Sequence, residues 1–313
     1  MSIDIALLAA GYGTRLRPIS DVLPKPLVHV GHEPLLTNTL QSLRQTLTGT
    51  GAIGVNAHHR AEKILVWGAA ENVRVATEDP IRGTAGGVKG ITDKLGSQGD
   101  VLVVNGDIYG FKDWKGLVEA HATSGDFATL LVTDRPLDGV ASYAGLPGEE
   151  DDGSPNARRE LGNVGLDARR GVVRLRKEQL GGENESAYFT GIYVLSSRGI
   201  ALLPEVGCAV EDLFLPALRR GERIGVHPTS EPLVDIGTPA GLLRANQLWL
   251  GEHPRWIGPS ARVAVGVQVE RSVIAGVVEG EGTISDVVVL PNSTCRAPLS
   301  RAIVFGREIL PVS

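Results

Sequence analysis

The chain has 313 residues, of which 42% are hydrophobic and 21% are charged, and its formal net charge is −5. These values describe a globular protein whose length exceeds the usual size of one domain, so a large domain and a smaller one are expected. Nucleic-acid and membrane-surface binders depend on an excess of basic residues, so the acidic balance argues against both partners.

The cysteines and the apolar runs predict a cytoplasmic protein. Cys208 and Cys295 lie far apart and form no CxxC or zinc-binding pattern, which favours reduced, buried thiols. The first residues, MSIDIALLAA, lack the basic region of a signal peptide. No apolar run approaches the ~20 residues that cross a bilayer.

Strands and helices alternate through the first 250 residues. Strands are predicted at 3–10, 52–57, 73–78, 100–107, 127–134, 171–178 and 187–196. Helices are predicted at 34–48, 58–70, 83–95 and 210–222, and the third of these is entered through a glycine-rich turn. Residues 231–250 are predicted to form a short strand, a turn and a closing helix. This alternation requires crossover connections. It predicts a Rossmann-like α/β/α sandwich with a mixed, mainly parallel sheet.

Two segments depart from this pattern. Residues 139–185 include a polar, punctuated stretch that predicts, in part, a loop or insertion. After Trp256, aliphatic residues recur six apart at Ile257, Val263 and Val269, and again at Ile284 and Leu290. This period favours a left-handed β-helix-like domain, with an irregular β-rich cap as the alternative. The predicted domains are therefore 1–252 and 253–313, with Trp249 and Trp256 holding them together.

The loop after the first strand combines glycines with cations. Gly11 and Gly13 stand at the carboxyl end of that strand, where open α/β sheets bind ligands and glycine lets backbone N–H groups approach a phosphate. Arg15 and Lys25 follow, and both side chains bind phosphate oxygens. A surface turn without a ligand is the alternative for either cation alone. The dinucleotide fingerprint GxGxxG is incomplete, because Leu16 occupies its third glycine position. The P-loop pattern GxxxxGK[ST] is absent.

The segment LLAAGYGTRLRPISDVLPKPLVHVGHEPLL resembles the signature of the sugar-1-phosphate nucleotidyltransferases. So many fixed positions in one short segment make this match specific. Four later segments are similar to further parts of the family, namely EDPIRGTAGGVK, VVNGD, YFTGIYVLS and DIGTPAGLLRAN. The resemblance covers residues 1–250 well and the tail loosely. It implies a GT-A-like nucleotidyltransferase fold, often followed by a β-helical tail.

The resemblance implies that an NTP and a sugar 1-phosphate react to give an NDP-sugar and pyrophosphate. Because the attacking phosphate oxygen is already an anion, the reaction needs cations and positioning more than a general base. The implied catalytic residues are Arg15 and Lys25, with Mg²⁺ as cofactor on Asp107 and Asp235. Each aspartate alone has a structural alternative, as a turn cap or a helix cap.

The other implied contacts form two sets. The nucleotide set is Leu8, Ala10, Gly11, Gly13, Thr14, Arg15, Glu78, Gly83, Thr84 and Ala85. The sugar-phosphate set is Asn105, Lys177, Thr190, Gly191 and Glu211. Lys177 stands in RKE where the family usually has EKP, so an exposed strand-end charge is its alternative. Glu211 is open to a second interpretation as an ordinary helix-start carboxylate.

The motifs are similar to those of two groups of enzymes with different substrates. GTAGG resembles both guanylyltransferases for mannose 1-phosphate and uridylyltransferases for N-acetylmuramic acid 1-phosphate. A β-helical tail is commoner beside the guanylyl type, so GTP with a mannose-, heptose- or cyclitol-type 1-phosphate is expected. The alternatives are UTP with an N-acetylated sugar 1-phosphate, and an inactive regulatory paralogue that binds nucleotide sugars. The tail also implies a homo-oligomer formed through the C-terminal domain.

The pair His58 and His59 invites a metal-binding interpretation. Adjacent residues do not share a helical face, and no third ligand stands at a useful spacing. A structural or surface role is therefore expected for both histidines.

Overall fold

The computed structural model describes residues 3–138 and 163–312 of the chain. Part of the predicted insertion, residues 139–162, lies outside them. The described remainder of that segment carries three strands, Val164–Leu166, Val172–Leu175 and Glu178–Gln179, which extend the main sheet.

In the described part of the chain, the main sheet has ten strands. In chain order they are Ile3–Leu8, Thr50–Ala57, Arg74–Thr77, Val101–Asn105, Ala128–Thr133, Val164–Leu166, Val172–Leu175, Glu178–Gln179, Glu185–Leu195 and Ile224–Pro228. The first four pair in parallel, whereas Glu185–Leu195 pairs antiparallel with Val101–Asn105. The sheet is therefore mixed with a parallel core, and the predicted α/β class is confirmed.

Helices cover both faces of this sheet. The longer ones are Leu35–Thr46, Ala61–Glu71, Gly83–Leu95, Trp114–Ser124 and Pro239–Leu250. Short helical turns are Thr14–Leu16, Ile19–Val22, Lys25–Leu27, Ser197–Ile200, Ala209–Phe214 and Leu215–Arg219. Successive strand residues point to opposite faces, so Leu102 belongs to the apolar core on one side and Val103 to the core on the other. The result is a three-layer sandwich.

The strand order reverses next to the first strand. Ile3–Leu8 lies between Thr50–Ala57 on one side and Val101–Asn105 on the other, and all three run in parallel. Such a reversal leaves a crevice at the carboxyl ends of the strands, because the connecting loops diverge there. The glycine-rich loop and Asp107 both follow strands at this point.

The second predicted helix starts later than expected. It spans Ala61–Glu71 rather than 58–70, because Arg60 adopts a left-handed conformation with φ 53° at the helix N-cap. His58 and His59 therefore lie in the turn that precedes the helix, beside the first loop.

The last residues form a second sheet of seven described strands. They are Arg255–Ile257, Arg262–Val263, Val267–Glu270, Ser272–Ile274, Val277–Val289, Thr294–Phe305 and Glu308–Pro311. Val267 pairs in parallel with Gly282, and Val277 with Thr294, so one turn of chain stacks on the next. This stacking is consistent with the predicted β-helix-like domain, and its handedness stays a prediction.

One residue of the six-residue period, at the edge of that stack, is not buried. Ile257 is exposed, whereas Val269, Ile284 and Leu290 are buried. The strand Arg255–Ile257 begins the second sheet and has a partner on one side only, at Ser272–Ile274, which leaves Ile257 without a covering turn of chain.

An apolar cluster joins the two sheets, and we call it the shared cluster. It contains residues that precede the second sheet, namely Leu16, Ile19, Val28, Val30, Leu35, Val234, Ile236, Leu242, Leu243, Ala245 and Leu250. It also contains residues from the second sheet and the chain after it, namely Val273, Val288, Leu290, Ile303 and Val312. The indoles of Trp249 and Trp256 pack on this cluster with ring centroids 5.7 Å apart.

No helix in the described ranges is long and apolar enough to cross a membrane.

Candidate active site

Strand register brings the first loop and Asp107 together. Leu8 pairs with Asn105 at the end of their parallel strands, and the backbone N–H of Gly106 donates to the carbonyl oxygen of Leu8 at 2.9 Å. Asp235 joins them from a distant part of the sequence, because its short strand pairs with Ile108. Three chain segments therefore meet at one edge of the sheet.

The first loop leaves open space where a ligand is expected. Gly11 follows the buried Ala10, and no atom lies within 4 Å of the position where a side chain at Gly11 would begin. Gly13 has a left-handed φ of 63°, which glycine adopts without strain. Thr14 then starts a helical turn whose buried Leu16 anchors the loop. The structure thus gives Gly13 a conformational role and leaves Gly11 facing free volume.

Opposite charges converge beside this loop. The ammonium Nζ of Lys25 lies 2.5 Å from Oδ2 of Asp107 and 3.4 Å from Oδ1 of Asp235. The guanidinium Nη2 of Arg15 lies 3.6 Å from Oδ2 of Asp235, and the Arg15 side chain is 52% exposed. The backbone N–H of Gly237 donates to Oδ1 of Asp235 at 2.6 Å. All four residues predicted to act on the phosphates or hold the metal are therefore neighbours.

Burial and charge shape the protonation of this cluster. Burial and the nearby charge of Asp107 raise the pKa of Asp235, although Lys25, the Gly237 N–H and Arg15 oppose the shift. Burial alone would lower the pKa of Lys25, but the two carboxylates outweigh it and raise that pKa above its usual value. Lys25 is consequently a permanent cation at this site near neutral pH.

The donor set fits a magnesium ion that is bound together with phosphates. Asp107 and Asp235 supply hard carboxylate oxygens, and the Lys25 ammonium between them shows that the space favours positive charge. Within residues 3–138 and 163–312, no three His, Cys, Asp or Glu side chains converge as a metal site. Mg²⁺ commonly uses one or two carboxylates and completes its shell with water and substrate phosphates.

Glu78 lies buried behind the loop. Its carboxylate accepts hydrogen bonds from the Asn56 side chain at 2.7 Å and from the backbone N–H of Arg82 at 2.9 Å. The Asn56 side-chain oxygen accepts in turn from the backbone N–H of Ala9 at 2.6 Å. Glu78 thus shares a hydrogen-bond network with the first loop.

The GTAGG segment forms the first turn of the helix Gly83–Leu95 and packs closely on residues 205–209. A side chain at Gly83 would begin 2.5 Å from the carbonyl oxygen of Gly207. Thr84 accepts through its hydroxyl from the backbone N–H of Ala209 at 2.8 Å, and the N–H of Ala85 donates to the Gly207 oxygen at 2.9 Å. These contacts tie the predicted nucleotide segment to the residues just before Glu211.

The predicted sugar residues are less concentrated. Gly191, with φ 85°, approaches Asn105 so closely that a side chain there would begin 2.2 Å from the Asn105 amide nitrogen. Thr190 is buried, and its hydroxyl donates to the Leu131 carbonyl oxygen at 2.9 Å. Lys177 is exposed just beyond the strand Val172–Leu175.

Glu211 lies on the helical turn Ala209–Phe214 and forms an ion pair with Arg176. Half of the Glu211 side chain is exposed, so the pair is accessible from solvent. Since Ala209, in the same turn, contacts Thr84, this pair borders the GTAGG segment.

Sequence reasoning missed three residues that the structure brings to the site. Asn56 is the last residue but one of the strand Thr50–Ala57, at the same sheet edge, which was a usable signal. Gly237 follows Asp235 by two positions and supports its carboxylate, but such a contact has no sequence pattern. Arg176 was visible as the first letter of RKE, yet its pairing with Glu211 depends on the tertiary fold.

Comparisons with known proteins identify the family of the chain. Residues 5–139 match the sequence profile of the family described as Nucleotidyl transferase. A candidate mannose-1-phosphate guanyltransferase of Sulfolobus acidocaldarius is 30% identical over 84% of this chain and 68% of its own length. The mannose-1-phosphate guanyltransferase of Debaryomyces hansenii is 26% identical over 78% of this chain, which spans 64% of that relative's length.

Solved structures share the fold. The HddC protein of Yersinia pseudotuberculosis, crystallised with GMP-PN, has a TM-score of 0.59 at 22% identity, covering 79% of this chain and 99% of its own. A candidate glucose-1-phosphate thymidylyltransferase of Bacillus anthracis has a TM-score of 0.58 at 22% identity, covering 79% and 95% respectively. These structures show the fold. The match over most of the Sulfolobus relative, supported by the family profile, establishes that the chain belongs to the sugar-1-phosphate nucleotidyltransferase family.

Proposed function

We propose that this protein transfers a nucleotidyl group from GTP to a sugar 1-phosphate of the mannose type and releases pyrophosphate. The observation that carries the proposal is the convergence of Arg15, Lys25, Asp107 and Asp235 beside the open space at Gly11. Two polyanions must meet in this reaction, and the cluster offers fixed cations and a carboxylate pair at one point.

The first loop would bind the triphosphate. Gly11 and Gly13 leave backbone N–H groups accessible to phosphate oxygens, and the half-exposed Arg15 is free to turn toward them. As the α-phosphorus bond to the β-phosphate oxygen breaks, negative charge grows on the leaving pyrophosphate. A guanidinium placed there binds the leaving group more tightly as this charge develops.

Lys25 would hold the reacting phosphates. An oxygen of the sugar phosphate forms the new bond to the α-phosphorus, and no proton has to be removed from it at neutral pH. Because its pKa is raised, Lys25 keeps its charge and shields the approaching anions from each other. Asp107 and Asp235 would hold Mg²⁺, which when bound supplies further positive charge to the phosphates.

The choice of GTP and a mannose-type acceptor rests on the relatives. Those compared above are described as mannose-1-phosphate guanyltransferases, although the chain spans only about two thirds of their length. Asn105 and Gly191 would contact the sugar, since they adjoin each other at the end of the strand that leads to Asp107. The Arg176–Glu211 pair would do so as well, since the turn that carries Glu211 contacts the GTAGG segment.

A substrate panel tests this proposal. The purified protein is incubated with Mg²⁺, each common NTP and a set of sugar 1-phosphates, and pyrophosphate release is recorded. We expect the fastest release with GTP and mannose 1-phosphate or a closely similar acceptor. Preference for UTP with an N-acetylated sugar 1-phosphate would contradict the donor and acceptor proposed here. Absence of release with every pair, while nucleotide sugars still bind, would favour a regulatory protein instead.

A further inference from the structure

The turn after the strand Thr50–Ala57 contacts the first loop at several points. The His59 ring nitrogen Nε2 lies 2.7 Å from the carbonyl oxygen of Ser20. The guanidinium Nε of Arg60 donates to the carbonyl oxygen of Asp21 at 2.8 Å. His59 and Arg60 therefore form hydrogen bonds with the loop that leads from Arg15 to Lys25.

His58 makes the most informative contacts in this turn. Its Nδ1 lies 3.0 Å from the carbonyl oxygen of Glu78, and its Nε2 lies 3.0 Å from the hydroxyl of Tyr12. A carbonyl oxygen only accepts, so Nδ1 carries the proton in the neutral ring. Nε2 then accepts from the Tyr12 hydroxyl. One imidazole thereby bridges the first loop and the Glu78 segment.

Tyr12 stands between the two glycines of the phosphate-binding turn. Its side chain is exposed by about half, and its ring meets the His58 ring edge to face at a centroid distance of 5.4 Å. Gly11 and Gly13 restrict the backbone little, so Tyr12 depends on side-chain contacts to stay in place. The bond to His58 is such a contact.

A second bridge runs parallel to the first. Asn56 accepts from the Ala9 N–H and donates to the Glu78 carboxylate. Asn56 and His58 therefore connect the first loop to Glu78 along two independent paths. A loop held in this way loses little further freedom when a ligand binds.

We propose that Tyr12 and His58 form a latch that holds the glycine turn in its nucleotide-binding conformation before the NTP arrives. This inference rests on the proposed function. Both are positioning residues, since they act through the backbone of residues 11–13. Their effect falls on nucleotide affinity, because they hold the turn that receives the nucleotide and are not among the charged groups assigned to the chemical step.

The test uses Tyr12→Phe, which removes the hydroxyl, and His58→Asn, which keeps a donor near Glu78 but removes the acceptor for Tyr12. Binding of GTP with Mg²⁺ is measured by calorimetry, with KM for GTP, KM for the acceptor, kcat and Tm. We expect each variant to weaken GTP binding about 3- to 10-fold, as the loss of one hydrogen bond predicts. Acceptor KM, kcat and Tm stay unchanged, and the double variant binds no more weakly than either single variant.

His253→Asn is the matched control, because His253 is exposed in the connection to the second sheet. Equal GTP affinity in wild type, both variants and control would overturn the latch and leave the proposed function standing. Additive losses in the double variant, or a fall in Tm with no change in affinity, would also overturn it. If the wild-type protein binds none of the common NTPs, the proposed function fails first and the latch with it.

Discussion

The two ends of the candidate site are built differently. At the donor end, Lys25 contacts both Asp107 and Asp235, and residues next to these charges belong to the shared cluster. At the acceptor end, Arg176 and Glu211 pair with each other in an exposed position. We infer that the proposed donor end is formed before substrates bind, whereas the proposed acceptor contacts are gained when Arg176 and Glu211 exchange partners. Substitutions should therefore affect kcat and nucleotide binding at one end, and acceptor KM at the other.

The largest effect is expected from the charges themselves. Lys25→Ala and Asp107→Ala should each lower kcat roughly 100- to 1000-fold, the usual cost of removing a preorganised charge at a reacting group. Pyrophosphate release measures this loss. Lys115→Ala, at an exposed ion pair with Glu119, is the control and should retain wild-type turnover. Near-normal kcat in either site variant would contradict the proposed roles.

Gly237→Ala tests whether the donor end tolerates small displacements. A side chain at Gly237 would begin 2.8 Å from Asp235 Oδ1 and 2.9 Å from both Arg15 Nη2 and Lys25 Nζ. The ends of the side chains must then shift, and such misplacement costs roughly 10- to 100-fold in kcat. Tm should change little. Unchanged kcat in Gly237→Ala would show that the cluster is not tuned to this geometry.

Gly11→Ala asks whether nucleotide occupies the open space in front of the loop. Nothing lies within 4 Å of the added methyl group, so the folded protein should keep its Tm. A bound triphosphate would collide with that methyl group, and KM for GTP should rise about 10-fold. Gly99→Ala, at an equally open position, is the matched control. Wild-type KM for GTP in Gly11→Ala would place the triphosphate elsewhere.

Glu211→Gln addresses the acceptor end. The substitution weakens the pairing with Arg176 and changes the groups available to sugar hydroxyls, so acceptor KM should change about 3- to 10-fold. KM for GTP should stay constant, because the donor end is preformed. Glu178→Gln, which alters the similar exposed pair with Arg219, is the control. A change confined to KM for GTP would remove the distinction between the two ends.

The smallest effect is expected from the shared cluster. Val288 belongs to it, whereas its neighbour Val289 belongs to the separate core of the second sheet. Both are buried, and replacement of either by Ala should lower the free energy of unfolding by about 1–3 kcal/mol. Only Val288→Ala should also raise KM for GTP, by about 2- to 3-fold. Equal enzymatic effects of the two variants would show that the cluster does not support the donor end.

Local patterns predicted much of the fold, and family-like motifs named four charged residues that lie together in the structure. The helix at 83–95 and the strand at 127–134 follow from period and turn residues, and both occur with bounds within a residue of those predicted. Arg15, Lys25, Asp107 and Asp235 came from motifs, because the charges needed for phosphates are carried by fixed short segments. The structure brings these four residues together.

Tertiary contacts explain what the sequence did not predict. Glu78 and Thr190 use their polar groups inside the protein, with Asn56 and the Leu131 carbonyl, and no local pattern reveals such partners. Arg176 meets Glu211 across a long sequence separation. The strand predicted at 171–178 occurs as Val172–Leu175 and Glu178–Gln179, whereas Val164–Leu166 was not predicted. Val164–Leu166 forms because pairing with Glu185–Leu195 on one side and Val172–Leu175 on the other supplies its hydrogen bonds.

The most direct measurement is a crystal structure of the protein with Mg²⁺ and a non-hydrolysable GTP analogue. We expect phosphates against residues 11–15, with the metal bound by Asp107 and Asp235. A triphosphate bound away from Arg15 and Asp107 would contradict the claim that anionic donor and acceptor meet at this cluster.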